Sequence, residues 1–249
     1  MTKKTKGIVL RSIKYGETSI VVTIFTSLLG VQTYLVNGIR TTKSSGSKVA
    51  MYQPGALLHM EVYHNELKGL QRIKEVAWAH IYKQVLTDVV TNSVASFMVE
   101  LLFKLLKQPE QNIELFDFCE DAFAQLDVAT PAVIANFPLY FSIHLPEFFG
   151  FKINRATPAI LNTDTLFLDT ENGIFTNIAP EHSHYIAGEN ALQIVALLQI
   201  MHPDDLPQLP LNRLQRKVLL EAILHYYQLH LQDFGTMKTL PVLYEVIGQ

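Results

Sequence analysis

The chain has 249 residues, 49% hydrophobic and 17% charged, with a formal net charge of -3. That apolar content excludes global disorder, and a single cysteine, Cys119, excludes a disulfide framework, a zinc ribbon and an iron–sulfur module. The charge is unevenly divided: residues 1–80 hold eleven Lys/Arg against four Asp/Glu, a net of +7, and residues 81–249 hold nine against nineteen, a net of -10. A sign change between segments points to two units with different partners, and a basic unit in an acidic chain is a candidate polyanion binder. The apolar stretch Val94–Leu106 carries Glu100 and Lys104, so it reads as a buried helix and not a membrane span. The opening residues, MTKKTKG, lack the apolar core of a signal peptide, and the expected compartment is the cytosol.

Residues 1–80 alternate with period 2. Gly7–Ile13, Ser19–Phe25, Val31–Val36, Leu57–Tyr63 and Leu70–Val76 read as five short strands. Turn signals separate them, at Tyr15-Gly16-Glu17, Leu29-Gly30, Ser44-Ser45-Gly46-Ser47, Gln53-Pro54-Gly55 and Lys68-Gly69. With no room for crossover helices, they imply a closed or nearly closed antiparallel barrel, either an OB-fold or an SH3-like barrel. Lys6, Arg11, Lys14, Arg40, Lys43, Lys48, Lys68, Arg72 and Lys74 supply cations, and Tyr15, Phe25, Tyr34 and Tyr63 supply rings. Cations beside aromatics suit single-stranded nucleic acid, whose phosphates pair with charge and whose bases stack on ring faces. The alternative for each ring is a core position, with Tyr34 and Tyr63 at barrel ends. Residues 38–48 carry three cations and five hydroxyls after a strand, a composition able to hold phosphates without reading bases, or to serve as a flexible linker.

Residues 81–249 read as mostly helical. Apolar pairs at 85/86, 89/90, 97/98 and 101/102 mark a helix from Lys83 to Leu106, ended by Pro109. A second helix covers Glu114–Leu126, with Leu115, Phe118, Cys119, Ala122 and Leu126 on one face, so Cys119 is a core residue. A third follows Thr130-Pro131 toward Phe149, with Pro138 and Pro146 kinking or breaking it. Residues 152–187 break the pattern: Leu166, Leu168, Thr170 and Gly173–Thr176 suggest a short hairpin or irregular insert. Gly188–Met201 is a further helix, and Pro203–Pro210 a linker. Asn212 and Gln215 form a capping-box pattern before a helix with Leu214, Val218, Ile223, Tyr226 and Leu229 on its face.

No catalytic constellation emerges. His182-Ser183-His184 has no accompanying HExxH helix and reads as a surface loop; there is no P-loop, GxSxG or dinucleotide fingerprint. The chain is expected not to be an enzyme and to need no cofactor or metal.

Lys6–Arg11, Tyr15–Val21, Phe25-Thr26, Gly30, Gly38-Ile39-Arg40 and Gln53-Pro54, with a closing Met237–Tyr244 segment, resemble the bacterial recombination-mediator family RecO. The likeness spans most of the chain. It implies an α+β protein: a five-stranded OB-fold barrel over 1–80, then a mostly α-helical domain over 81–249 with a small cysteine-free insert at about 152–187. Many members carry a four-cysteine zinc module in that insert. Here it has no cysteine, so zinc binding does not carry over, and Leu166, Phe167, Phe175 and Ile178 are expected to hold the segment.

The family binds single- and double-stranded DNA, anneals complementary strands, and works with RecR, and often RecF, to load RecA onto strands coated by single-stranded-DNA-binding protein (SSB). It does no bond-making chemistry. A cytoplasmic, nucleoid-associated protein with no membrane contact is implied. The expected DNA-binding residues are Lys6, Arg11, Lys14, Arg40, Lys43, Lys48, Lys68, Arg72, Tyr15 and Tyr34. The family also binds the acidic, apolar tail of SSB, which needs an apolar groove with a cation for the terminal carboxylate; Lys152 and Arg155, or Arg213, Arg216 and Lys217, are the candidates. The alternatives are a protein-interaction scaffold, an RNA-binding module and a hydrolase with an unrecognised site.

Overall fold

The computed structural model describes residues 2–39, 46–108, 110–157 and 165–247. Five strands form a closed barrel: β1 (Thr2–Tyr15), β2 (Ser19–Thr26), β3 (Gly30–Val36), β4 (Leu57–Tyr63) and β5 (Gln71–Trp78), in the order β1-β2-β3-β5-β4 with β4 returning to β1. All neighbours are antiparallel except β3 and β5. A short helix, α1 (Gly46–Ala50), lies between β3 and β4. That helix and the parallel closure identify the OB arrangement over the SH3-like one. β1 is longer than the periodicity suggests because it serves two partners. Thr2–Ile8 pairs with β4 and Gly7–Tyr15 with β2, and a bulge between Val9 and Arg11 turns the strand. Gly7 is required there, since a Cβ would sit 2.6 Å from both Ile24 Cγ2 and Met60 Cε.

Val9, Val22, Ile24, Tyr34, Leu58, Met60 and Val62 fill the barrel. By alternation, Ile8, Phe25 and Leu57 point outward, and they too are fully buried. The cover comes from two helices, α2 (Val89–Leu105) and α3 (Ile113–Leu126); Phe116 of α3 meets Phe25 with ring centroids 5.4 Å apart. The chain forms two compact units divided between Val128 and Ala129, so α2 and α3 fold with the barrel.

The helix expected from Lys83 begins instead at Val89. Residues 80–88 are organised by Asp127, whose carboxylate is almost wholly buried and accepts the backbone N–H groups of Lys83, Gln84 and Val85 at 2.8–3.1 Å, with His80 Nε2 at 3.1 Å. Burial opposes ionisation of this carboxyl, but those donors outweigh it and hold its pKa below the ordinary value. Asp88 then caps α2 by accepting from Thr91 N at 2.8 Å. Pro109 lies outside the described residues.

The second unit contains α4 (Pro131–His144), α5 (Gly188–Gln199), α6 (Arg213–His230), α7 (Leu240–Val246) and a three-stranded sheet, β7 (Ile174–Thr176)–β6 (Phe167–Asp169)–β8 (Tyr185–Ala187). α4 is its central helix. Pro138 lies inside α4 without ending it, and a 3-10 turn over Leu145–Phe149 carries Pro146. The expected linker 203–210 contains a 3-10 helix, Pro203–Gln208, with Leu206 buried; the side-chain amide of Asn136 donates to the Leu206 and Leu209 carbonyls at 3.2 Å. The capping box at Asn212 and Gln215 is present. On α6, Ile223 and Tyr226 are buried as the pattern predicts, together with Leu219, Leu220, Leu224 and Tyr227; Leu229 is half-buried, and Val218 and Leu214 are exposed, Leu214 to 68%. In the insert, Leu166 and Phe175 are buried as expected, Phe167 is half-buried against Tyr185, and Ile178 is 80% exposed. Among the described residues no helix is long and apolar enough to cross a membrane.

Candidate functional site

Directly paired residues on neighbouring strands point to the same side of a sheet. One such row runs Ile13–Val21–Leu35–Arg72–Tyr63 across β1, β2, β3, β5 and β4. Its members are exposed or half-buried, so it lies on the outer wall. Arg11, Thr23 and Thr33 form the parallel row two residues away. At the same rim Tyr15, 56% exposed, pairs with Ser19, whose hydroxyl donates to Asn37 Oδ1 at 3.1 Å. The result is a face with a half-exposed aliphatic strip, a tyrosine toward each side, and cations at Arg11 and Arg72.

The β4–β5 connection reaches this rim. Gln71 is buried and orders it, donating from Nε2 to the carbonyls of Asn65 and Lys68 and accepting from Asn65 N at 3.0 Å. Lys68 stands exposed on it. β3 and β5 share only two register pairs, Tyr34–Gln71 and Leu35–Arg72, and a cleft of about 420 Å³ opens where they part, lined by Tyr63, Arg72, Asn37 and Leu35 among others. Among the described residues Lys14, Lys68 and Arg72 have no carboxylate within ion-pair distance, so their charge is uncompensated. Arg11 lies 5.6 Å over the Phe103 ring, which orients it without neutralising it.

The structure divides the sequence candidates. Arg11, Tyr15 and Arg72 lie on this face, with Lys68 on the connection at its rim; Lys14 pairs with the core residue Ile20, so it points to the other side of β1 and is exposed near the strand's end. Lys48 is exposed on α1. Arg40 and Lys43 lie outside the described residues. Lys6 does not join them: it sits on the stretch of β1 that pairs with β4 and bonds Glu120 at 2.8 Å. Tyr34 is corrected outright. It is 0% exposed in the barrel core, its hydroxyl has no partner among the described residues, and burial pushes its pKa far up, so its ring offers no face to a base. Alternation places Tyr34 opposite in sense to Leu35, and it is Leu35 that faces out. Tyr63, one of the four candidate rings of the barrel segment but absent from the expected site, is 50% exposed beside Arg72.

The second unit holds a separate feature. A mostly apolar groove of about 330 Å³ is lined by Ala135, Pro138 and Leu139 of α4, Leu214 and Leu220 of α6, and Leu243 and Ile247 at the C-terminal end. Arg213, Arg216, Lys217 and Tyr244 complete it. Arg213 Nη2 donates to the Tyr244 carbonyl at 3.0 Å, and Lys217 Nζ lies 5.4 Å over the Tyr244 ring. Arg216 Nη1 donates to the Leu211 carbonyl at 2.6 Å, and burial lowers its pKa from the usual value. The exposure of Leu214 is explained here: it forms a groove wall. Lys152 and Arg155 line a different, smaller and more polar hollow of about 210 Å³ with His144 and Glu147. Of the two cation sets, only Arg213, Arg216 and Lys217 border an apolar groove.

His182 lies 3.5 Å from Asp169 and 3.6 Å from Glu171, and His184 stacks on His225. Among the described residues no group of three or more His, Cys, Asp or Glu is arranged to hold a metal ion.

Residues 1–82 match the family model "Recombination protein O N terminal", and residues 86–239 match "Recombination protein O C terminal". Among curated proteins, the chain is 32% identical to the DNA repair protein RecO of Flavobacterium psychrophilum over 248 residues, covering 100% of both chains. It is 30% identical to that of Phocaeicola vulgatus, again over 100% of both, and 32% identical to that of Bacteroides fragilis over 99% of each.

Proposed function

The chain belongs to the RecO family of DNA repair proteins, and from that premise we propose that it is a non-enzymatic recombination mediator. It binds single- and double-stranded DNA on the barrel, anneals complementary strands, and with RecR, and often RecF, assists RecA loading on SSB-coated strands. The observation that carries this reading is the outer row Ile13–Val21–Leu35–Arg72–Tyr63 with uncompensated cations around it. Bases lie on Tyr15, Tyr63 and the aliphatic strip, and phosphates pair with Arg11, Lys14, Lys68 and Arg72. Neutralising phosphates on two strands lowers their mutual repulsion and favours pairing, and such contacts carry little sequence preference. The groove of the second unit receives the apolar, acidic tail of SSB, with Arg213, Arg216 and Lys217 attracting its charge.

The test is single-strand binding across a salt series. Each phosphate contact contributes a log–log slope of about 0.7 for single strands, so Lys68→Ala/Arg72→Ala is expected to flatten it by about 1.4. Tyr63→Ala is expected to weaken binding by ~1–3 kcal/mol with little change in slope. Lys6→Ala is expected to leave both unchanged. A double variant with the parental slope removes this face from the reading.

A further inference from the structure

We propose that Leu67, at the tip of the connection between β4 and β5, is a wedge that inserts at the boundary between paired and unpaired DNA and determines the barrel face's preference for such junctions. This rests on the assignment of that face to DNA. Leu67 is 95% exposed, more than any other large apolar side chain among the described residues. A lone exposed leucine is ordinary on a protein surface, but the place and the rigidity of this one are not. Residues 64–70 join Tyr63 to Gln71, and Tyr63 pairs with Arg72 across β4 and β5. The connection therefore rises from the ring and the cation of the outer row, with Leu67 midway along it. Buried Gln71 ties it down by three bonds, from Nε2 to the carbonyls of Asn65 and Lys68 and from the Asn65 N–H to Oε1. Asn65 Oδ1 in turn accepts the Leu67 N–H at 2.9 Å, and the Asn65 carbonyl accepts the Lys68 N–H at 3.1 Å. The entropy of ordering this backbone is spent without burying the leucine that it carries.

An aliphatic side chain held out from a basic surface meets DNA between its bases, entering a base step and partly unstacking it. Glu66 before Leu67 and Lys68 after it leave the tip itself with no net charge, so its gain from DNA comes from burying the leucine. That gain is comparable to the cost of unstacking one step and not larger, so Leu67 enters only where a step is already weak. The last base pair of a duplex, beside an unpaired strand, is such a step, because nothing paired stacks on one side of it. With Leu67 against that pair, the unpaired strand continues over Tyr63, and Lys68 and Arg72 meet its phosphates. A strand-annealing reaction carries this boundary forward with every pair that it forms.

The experiment uses the full chain and two probes, a duplex with an unpaired tail and an unpaired thymidine strand. The duplex carries 2-aminopurine, which brightens when unstacked, in the pair next to the tail. The parent protein is expected to raise its emission. Leu67→Ala is expected to abolish the rise and to weaken binding to the tailed duplex about tenfold, the loss of most of a buried leucine. The same variant is expected to weaken binding to the thymidine strand less than about twofold, with the salt slope on both probes unchanged because no charge is removed. Leu67→Phe, which keeps an apolar wedge, is expected to restore the rise. A rise retained by Leu67→Ala, an equal loss on both probes, or no rise from a parent that binds the tailed duplex overturns the proposal while leaving the face a DNA site. Binding of neither probe by the parent overturns the assignment of the face itself.

Discussion

Asp127 illustrates how one side chain decides local structure. Its carboxylate takes three backbone N–H groups from residues 83–85 and a contact from His80, and so fixes the bend that precedes α2. Its native pKa lies below the ordinary 3.8, so the ionised form contributes stability above that pH. The contribution is lost as pH falls through 3.8 toward the lower native value. Asp127→Asn is expected to be less stable by ~1–3 kcal/mol in urea unfolding at pH 7, with the gap to the parent narrowing as pH falls below 3.8. A gap independent of pH down to acid unfolding contradicts this role. The same scale explains the difference between Tyr34 and Tyr63. Both are strand tyrosines in a basic segment, but one lies in the barrel core and the other is half-exposed beside Arg72.

At the scale of elements, α3 acts as the barrel's outer cover. Phe116 packs on Phe25, and both are fully buried. Phe116→Ala is expected to cost about 3–5 kcal/mol in unfolding free energy, because a ring-sized cavity opens between helix and strand. A loss below about 1 kcal/mol means that α3 does not hold the barrel wall. The five strands were legible because period-2 alternation and glycine turns agree locally. Which rings face in was not, because the β1 bulge and the covering helices set burial on both sides of β1, β2 and β4, and a sequence read strand by strand shows only one buried face. Phe25 points outward by alternation and is nonetheless buried. The start of α2 was missed because Asp127, some 40 residues downstream, captures the backbone that the apolar pairs at 85/86 would have placed in a helix. The capping box at Asn212 was readable since its partners are three residues apart. The groove was readable only in its cations: Leu243 and Tyr244 come from a distant segment, and the exposure of Leu214 makes sense only beside them.

At the scale of the molecule, the division of charge matches the division of labour in the proposed function. The basic 1–80 segment builds the barrel with its uncompensated cations, and the acidic remainder keeps its few cations at defined places, three of them around the groove. The proposed function gives one surface to polyanion and the other to peptide, which is what a protein needs if it is to meet DNA already covered by another protein. The measurement that tests this account most directly is annealing of two complementary fluorescent oligonucleotides, each precoated with cognate SSB, across a salt series. The account predicts acceleration that fades with salt, lost in Lys68→Ala/Arg72→Ala on bare and coated strands alike, and lost only on coated strands when Arg213 and Lys217 are neutralised. No acceleration by the parent protein, together with no binding to bare strands at low salt, contradicts it.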